Sequence, residues 1–158
     1  MDTLDHYLTE EYPIEKRDIA EIEDYLTKVV PIFIAKFDDK SAWPYEIQFD
    51  VTGNKYRLES QSELVLFRIV QEVLHNIIKH AKATSIVMTL SYEPAMFSLT
   101  IADNGIGFDT SKINSKNLNG SGLGIRNMHN RAKIINGNFN LTSTLGAGTT
   151  IILTAPNK

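Results

Sequence analysis

The chain has 158 residues, a formal net charge of −3, and a composition that is 42% hydrophobic and 22% charged. This length and composition fit one globular domain with its own core. The small negative charge disfavours a protein that binds nucleic acid through phosphate charge, and the absence of cysteine excludes disulfides and thiolate metal sites.

The N-terminal residues predict no targeting segment. No apolar run reaches the roughly 20 residues of a membrane span, and the acidic start lacks the pattern of a signal peptide. We therefore expect a cytoplasmic domain without membrane contact, while membrane anchoring of a longer protein stays open. Residues 1–15 are polar and are expected to be a leader or the remnant of a linker, so that the domain covers residues 16–158.

Helical and strand patterns follow in turn along the domain. Apolar residues recur at three- and four-residue steps between residues 19 and 33, which predicts a helix that Pro31 divides or kinks. Residues 45–51 alternate and predict a strand. The longest helical pattern covers residues 61–81. Its predicted apolar side consists of Leu66, Phe67, Val70, Val73, Leu74, Ile77 and Ile78.

The second half of the chain predicts four more strands and one more helix. Alternation indicates strands at residues 86–92 and 97–103 and a final hairpin of residues 139–143 and 149–154. A helix from about Leu123 to Ile135 lies between these pairs, with Gly137 as its expected C-cap. Its predicted inner face consists of Ile125, Met128, Ala132 and Ile135. We expect an α/β (α+β) sandwich with a mixed, mostly antiparallel sheet and three helices on one face.

A polar row follows the long helix. Arg68, Glu72, Asn76 and Lys79 are spaced by four, four and three residues, which places them on one side of an α-helix. The simplest interpretation is a solvated face of mixed charge. The functional one is that a carboxylate, an amide oxygen and a cation order a water, ligate Mg²⁺ and meet a phosphate oxygen. His80 lies beside this row and either contacts phosphate or serves the structure.

Three glycine clusters follow. Asp103 ends a predicted strand and is followed by Gly105 and Gly107, a pattern that suits either a tight turn or a binding loop. Residues 120–124 precede a helix, so their N–H groups can cradle an anion. Residues 146–148 form an ordinary hairpin turn when taken alone. Because neither a P-loop nor a dinucleotide fingerprint is present, a nucleotide site must be of another kind.

Taken in chain order, these motifs resemble the N, G1/F, G2 and G3 boxes of the GHKL ATPase superfamily. The matching segments are Glu72-x-x-x-Asn76-x-x-Lys79-His80-Ala81, Asp103-x-Gly105-x-Gly107-Phe108, Gly120-x-Gly122-Leu123-Gly124 and Gly146-x-Gly148-Thr149. The segment from Phe67 to Glu72, with the Lys79-His80-Ala81 sequence, is similar to sensor histidine kinases whose response regulators carry a helix-turn-helix domain. The resemblance covers residues 16–156.

This resemblance implies the Bergerat fold with ATP and Mg²⁺ as ligands. The catalytic residues it implies are Glu72, Asn76 and Lys79. Asn76 is expected to hold Mg²⁺, with Glu72 beside it. Lys79 and His80 are expected to face phosphate oxygens.

The remaining boxes imply contacts with adenine and a lid. Asp103 is expected to accept a hydrogen bond from the adenine amino group, with Thr149 supporting that side through water. Gly105 and Gly107 are expected to let the backbone approach the nucleotide. The lid over the phosphates is expected to include Gly120, Gly122, Leu123 and Gly124.

The implied activity is that of the ATP-binding catalytic domain of a sensor histidine kinase. It transfers the γ-phosphoryl group to a histidine on a dimerisation domain, for relay to a response regulator. The histidines here do not match the phosphoacceptor pattern: His6 lacks the charged helical context, and His75 and His129 are expected to be structural. We therefore expect the acceptor on a domain outside this chain.

Three alternatives stay open at the sequence level. An ATP-driven clamp would use Glu72 to activate water, but it needs transducer domains for which 158 residues leave no room. A serine kinase of the anti-sigma type shares the fold and would phosphorylate a separate protein. A degenerate, binding-only module is disfavoured by the intact Asn76 and Asp103.

Overall fold

A computed structural model describes residues 46–111 and 121–157, with the backbone alone described for Ile78 and for residues 121–123. The predicted leader at residues 1–15, the predicted helix between residues 19 and 33, and Gly120 fall outside the described residues. Within the described part of the chain, no helix is long and apolar enough to cross a membrane.

The described residues form five strands and two helices in the predicted order. They are β1 (Glu46–Gly53), α1 (Ser60–Asn76), β2 (Ser85–Tyr92), β3 (Met96–Asp103), α2 (Ser121–Ile134), β4 (Asn138–Thr144) and β5 (Gly148–Pro156). A π-helical turn, Ile77–Ala81, continues α1 without a break. All five predicted strands and two of the three predicted helices are therefore present among the described residues.

The strands form one sheet in the order β1-β2-β3-β5-β4. Strand β1 pairs with β2 in parallel, and the other three pairs are antiparallel. The parallel pair is joined through α1, as a parallel connection requires a crossover. The prediction of a mixed, mostly antiparallel sheet is confirmed.

The core lies between the two helices and one face of the sheet. Along β2, Ile86, Met88, Leu90 and Tyr92 are buried while the residues between them are half-buried, as the two-residue period of a strand requires. The predicted inner face of α2 is buried at all four positions. On α1, every predicted apolar residue whose side chain is described is buried, and Val65 and Ile69 are buried as well. The burial of these two residues shows that more of the circumference of α1 is enclosed than the sequence pattern predicted.

The long helix ends at Ala81 as predicted, but the winding of its last turn and the cap of α2 differ from the prediction. The last turn of the predicted helix 61–81 is π-helical and stops at Lys82, whose φ of 49° is left-handed. At the end of α2 the left-handed residue is Asn136, with φ 54°, so the expected cap at Gly137 was wrong by one position. The Gly137 N–H donates to the Ala132 carbonyl at 2.8 Å and the Asn136 N–H to Lys133 at 3.1 Å, which closes a Schellman motif. A Cβ on Gly137 would lie 2.7 Å from the Thr154 carbonyl oxygen, so this position needs a glycine because the backbones approach closely.

Candidate functional site

The predicted motifs meet at one end of the sandwich. The Ile106 N–H, from the loop after β3, donates to the carbonyl of Ala81 at 2.7 Å. Asp103 at the end of β3 lies opposite Thr149 at the start of β5. The carboxylate of Glu72 on α1 lies against Gly124 in the first turn of α2. The second half of α1 with its π-helical turn, the end of β3 with the loop after it, the start of β5 and the first turn of α2 thus lie together at this end.

The polar row on α1 extends from the interior to the surface. Glu72 and Asn76 are half-buried, whereas Lys79 and His80 are exposed on the π-helical turn. A π-helical turn is wider than an α-helical one, so the α-helical spacing used to align Lys79 with Asn76 does not hold across it. Arg68 begins the row and donates from Nη1 to the Gln71 side-chain oxygen at 3.3 Å. Its guanidinium group is therefore hydrogen-bonded to a neighbouring side chain of α1.

Asp103 is a carboxylate on the apolar face of the sheet, where it is only 9% exposed. The Gly105 N–H donates to its Oδ1 at 2.8 Å, and the Thr149 N–H also bonds the carboxylate. Burial raises the pKa of Asp103 because desolvation penalises the charged form, and these two hydrogen bonds partly offset that rise. The side chain is an acceptor held in place by the backbone of two motifs.

Two glycines, Gly105 after β3 and Gly148 at the start of β5, allow separate segments of the backbone to come into direct contact. A Cβ on Gly105 would collide with the Ala81 carbonyl oxygen, and one on Gly148 would collide with the Asp103 carbonyl oxygen. Gly148 also has φ +86°, which side chains rarely adopt. The contacts that require glycine here are within the protein. Approach of the backbone to a nucleotide at Gly105 and Gly107 stays a prediction.

Sequence reasoning missed Asn104, which fastens the loop before β2 to the end of β3. Its Oδ1 accepts the N–H groups of Thr84 at 2.8 Å and Ser85 at 2.9 Å. Its Nδ2 donates to the Thr84 hydroxyl at 2.9 Å. Asparagine commonly bonds nearby backbone, but these partners lie about twenty residues earlier in the chain, so no local pattern could have identified them.

Sequence reasoning also missed Ser143 on β4. Its Oγ accepts the N–H of Phe108 at 2.9 Å and lies 2.8 Å from the hydroxyl of Thr149. The only hint in the sequence was the position of Ser143 on the predicted hairpin. His129, which was expected to be structural, packs its ring edge-on against Phe139 with the ring centres 4.7 Å apart.

The donors near the end of α1 suit a hard cation shared with a ligand. Among the described residues, no cluster of three or more histidine, aspartate or glutamate side chains forms a complete metal cage. Asn76 and Glu72 instead offer two half-buried oxygen ligands one turn apart, and Glu72 lies beside the start of α2. Mg²⁺ typically takes one or two protein oxygens and completes its shell with water and phosphate, so this donor set fits it.

Comparison with known proteins identifies relatives of most of the described chain. Residues 61–158 match the model of the family described as histidine kinase-, DNA gyrase B-, and HSP90-like ATPase. The chain is 36% identical over 65% of its length to an uncharacterized sensor-like histidine kinase of Chloroflexus aurantiacus, covering 17% of that protein. It is 28% identical over 70% of its length to the oxygen sensor histidine kinase NreB of Staphylococcus carnosus, covering 30% of it.

A third relative and a solved structure agree with this match. The signal transduction histidine-protein kinase/phosphatase DegS of Brevibacillus brevis is 34% identical over 70% of the chain, which covers 27% of DegS. The histidine kinase domain of a blue-light activated histidine kinase from Erythrobacter litoralis superposes with a TM-score of 0.61 and 22% identity. That superposition covers 86% of this chain and 65% of the other and supports the fold. The chain spans less than a third of each curated relative that it matches.

Two glycine-to-alanine variants test the close contacts at the site. We expect Gly105→Ala to lower the free energy of unfolding by about 1–3 kcal/mol, because the new methyl group must displace the Ala81 carbonyl. Gly124→Ala is the matched control, since its methyl group meets only the mobile end of the Glu72 side chain and alanine favours a helix by about 1 kcal/mol. Urea denaturation followed by circular dichroism measures both. Equal losses would contradict the interpretation of Gly105.

The buried carboxylate predicts a pH-dependent stability. The raised pKa means that folded Asp103 keeps its proton to a higher pH than the unfolded chain does. The free energy of unfolding therefore falls as pH rises from the ordinary aspartate pKa, about 3.9, through the raised value. Relative to Asp103→Asn, which has no such charge, the nucleotide-free wild-type protein should lose stability across this window. Thermal unfolding at a series of pH values measures the stability of both proteins. If the stabilities of wild type and Asp103→Asn change equally with pH across this window, Asp103 is not the source of the pH dependence.

Proposed function

The chain belongs to the family of histidine kinase-, DNA gyrase B-, and HSP90-like ATPases, and we propose that it is the ATP-binding catalytic domain of a sensor histidine kinase. It transfers the γ-phosphoryl group of ATP to a histidine on a dimerisation domain, for relay to a response regulator of the helix-turn-helix type. The proposal rests on the convergence of Asp103, the Glu72–Asn76 pair and the start of α2 at one end of the sandwich. The names of the relatives support a histidine as the acceptor.

The sheet supplies the adenine end of the proposed site. An ionised carboxylate can only accept hydrogen bonds, so Asp103 pairs with the exocyclic amino group of adenine. Its N–H partners at Gly105 and Thr149 fix the carboxylate before the base arrives. Burial excludes water from this bond and strengthens it. Thr149 lies beside Asp103 and supports the same edge of the base.

The helix ends supply the phosphate end. Asn76, with Glu72 beside it, would hold Mg²⁺, which would supply charge neutralisation at the phosphate oxygens. Lys79 and His80 are exposed on the π-helical turn and reach the phosphates from the surface. The N-terminus of α2 directs backbone N–H groups at the same anion. The proposed lid consists of Gly120, outside the described residues, with Gly122, Leu123 and Gly124 in the first turn of α2.

The proposed reaction needs positioning more than covalent chemistry from this chain. A histidine nitrogen of the dimerisation domain attacks the γ-phosphorus in line, and the bond to the β–γ bridging oxygen breaks to release ADP. Asn76, Lys79 and the α2 N–H groups hold the triphosphate in that line and balance its charge. Glu72 lies beside the cation site and against Gly124. The acid or base that assists the histidine belongs to the dimerisation domain, so Glu72 need not remove a proton in this reaction.

The cation site is tested by a charge-adding substitution. We expect Asn76→Asp to weaken ATP binding in Mg²⁺ by about tenfold or more while leaving the fold intact, because it places a second carboxylate beside the triphosphate. Asn140→Asp adds the same charge at an exposed position of β4 and serves as the control. Titration calorimetry with and without Mg²⁺ measures the affinity. Equal ATP affinity in Asn76→Asp and wild type would contradict the assignment of Asn76.

The chemistry of the phosphorylated product tests the kinase reaction. A longer protein that contains this chain, incubated with ATP labelled at the γ-phosphate, should acquire label that is lost in acid and kept in alkali, as expected of phosphohistidine. An acid-stable label on a separate acceptor protein added to the incubation would instead indicate a serine kinase. Release of labelled inorganic phosphate without labelled protein would indicate an ATP-driven clamp. Either of the last two results would overturn the histidine kinase proposal.

A further inference from the structure

Three polar side chains lie in register across three neighbouring strands at the end of the sheet. Ser143 on β4 pairs with Thr149 on β5, and Thr149 pairs with Asp103 on β3. All three belong to the inner face, because Leu141, Ile151 and Ile101 occupy the same face in the adjacent apolar row. We call Ser143, Thr149 and Asp103 the polar row of the sheet. It is the last row of the inner face before the proposed adenine end.

The contacts of the Ser143 hydroxyl use all of its hydrogen-bonding capacity. A hydroxyl has one proton to donate and two lone pairs to accept with. The Phe108 N–H donates to Ser143 Oγ at 2.9 Å, and Ser143 Oγ lies 3.1 Å from the Gly148 carbonyl oxygen. A carbonyl can only accept, so all three contacts are hydrogen bonds at once only if the Ser143 proton points to Gly148. In that arrangement the remaining lone pair of Ser143 accepts the proton of the Thr149 hydroxyl, 2.8 Å away.

The direction of that last bond determines what Thr149 presents to a ligand. Once its proton points back to Ser143, the Thr149 hydroxyl has only lone pairs left for the site. Asp103 beside it is also an acceptor. The outward face of the polar row is therefore acceptor-only, apart from protons brought by water.

An acceptor-only row distinguishes the two common purines. Adenine carries at its 6-position an amino group with two N–H donors, whereas guanine carries a carbonyl oxygen there. The amino group of adenine satisfies Asp103 and, directly or through a water, Thr149. The oxygen of guanine would face two acceptors and leave buried polar groups unpaired, which sites of this kind reject strongly.

We propose that Ser143 is a specificity-determining positioning residue, which fixes the Thr149 hydroxyl as an acceptor and so selects adenine over guanine nucleotides. The inference rests on the proposed nucleotide-binding function. Ser143 itself touches no ligand in this scheme. It acts through Thr149, which without Ser143 as its acceptor could turn its proton towards the base and accommodate the guanine oxygen.

The experiment compares the binding of ATP and GTP, each with Mg²⁺, by titration calorimetry. We expect Ser143→Ala to weaken ATP binding by about five- to tenfold, with GTP binding unchanged or stronger, so that the ratio of the two affinities falls. Ser143→Thr keeps the hydroxyl and should restore the wild-type ratio. Ser98→Ala removes a half-buried serine from the opposite face of the same sheet and should leave both affinities unchanged.

The outcomes separate the inference from the proposed function. If wild-type protein binds ATP but Ser143→Ala weakens ATP and GTP equally, Ser143 is only structural and the inference is overturned. If the wild-type protein binds no ATP, the proposed function itself fails. Should Ser143→Ala prove unfolded by circular dichroism, Ser143→Cys replaces it with a side chain of similar size and much weaker hydrogen bonding. An unchanged ATP-to-GTP ratio in that folded variant also overturns the inference.

Discussion

The hydrogen bond from the Ile106 N–H to the Ala81 carbonyl holds the candidate site together. It joins the end of the long helix to the loop after β3, and it forms only because Gly105 has no side chain to strike that carbonyl. The Ile106 carbonyl in turn accepts the Gly146 N–H at 2.6 Å, which extends the link to the β4–β5 turn. Three motifs distant in sequence are therefore connected by main-chain hydrogen bonds. These bonds fix the positions of their side chains relative to one another.

The same linkage explains how the sheet tolerates a carboxylate on its apolar face. A buried charge without partners would cost several kcal/mol, but Asp103 accepts bonds from two backbone groups that the fold already directs towards it. Its raised pKa shows that burial outweighs these bonds. A hydrophobic residue would suit the core better at this position. The cost in stability is understandable if the carboxylate is kept for recognition of a ligand.

The fold was predictable from the sequence because strand alternation and helical periodicity report burial directly. The positions of the five strands and the inner face of α2 follow from them, and both are confirmed. What failed was the local geometry at helix ends, where competing hydrogen bonds decide the outcome. Asn136 rather than Gly137 is the left-handed residue, and Gly137 instead lies close to the backbone of Thr154. The π-helical turn at Ile77–Ala81 left no trace in the apolar pattern, because it is the last turn and no further helical residues follow it to show the altered period.

The site was predictable only as a set of residue types, and the two ends of the site show why. At the proposed phosphate end the polar side chains project from helix ends, where Lys79 is exposed and keeps its rotamer freedom in the absence of a ligand. At the other end, Asp103 and Thr149 are fixed by register and by hydrogen bonds before any ligand arrives. Register between distant strands is a tertiary property, so the contribution of Ser143 could not be predicted from its neighbours in sequence. In the proposed site, discrimination between bases therefore belongs to the preorganised sheet, where a misplaced proton is most unfavourable, and the side chains at the helix ends adapt to the phosphates.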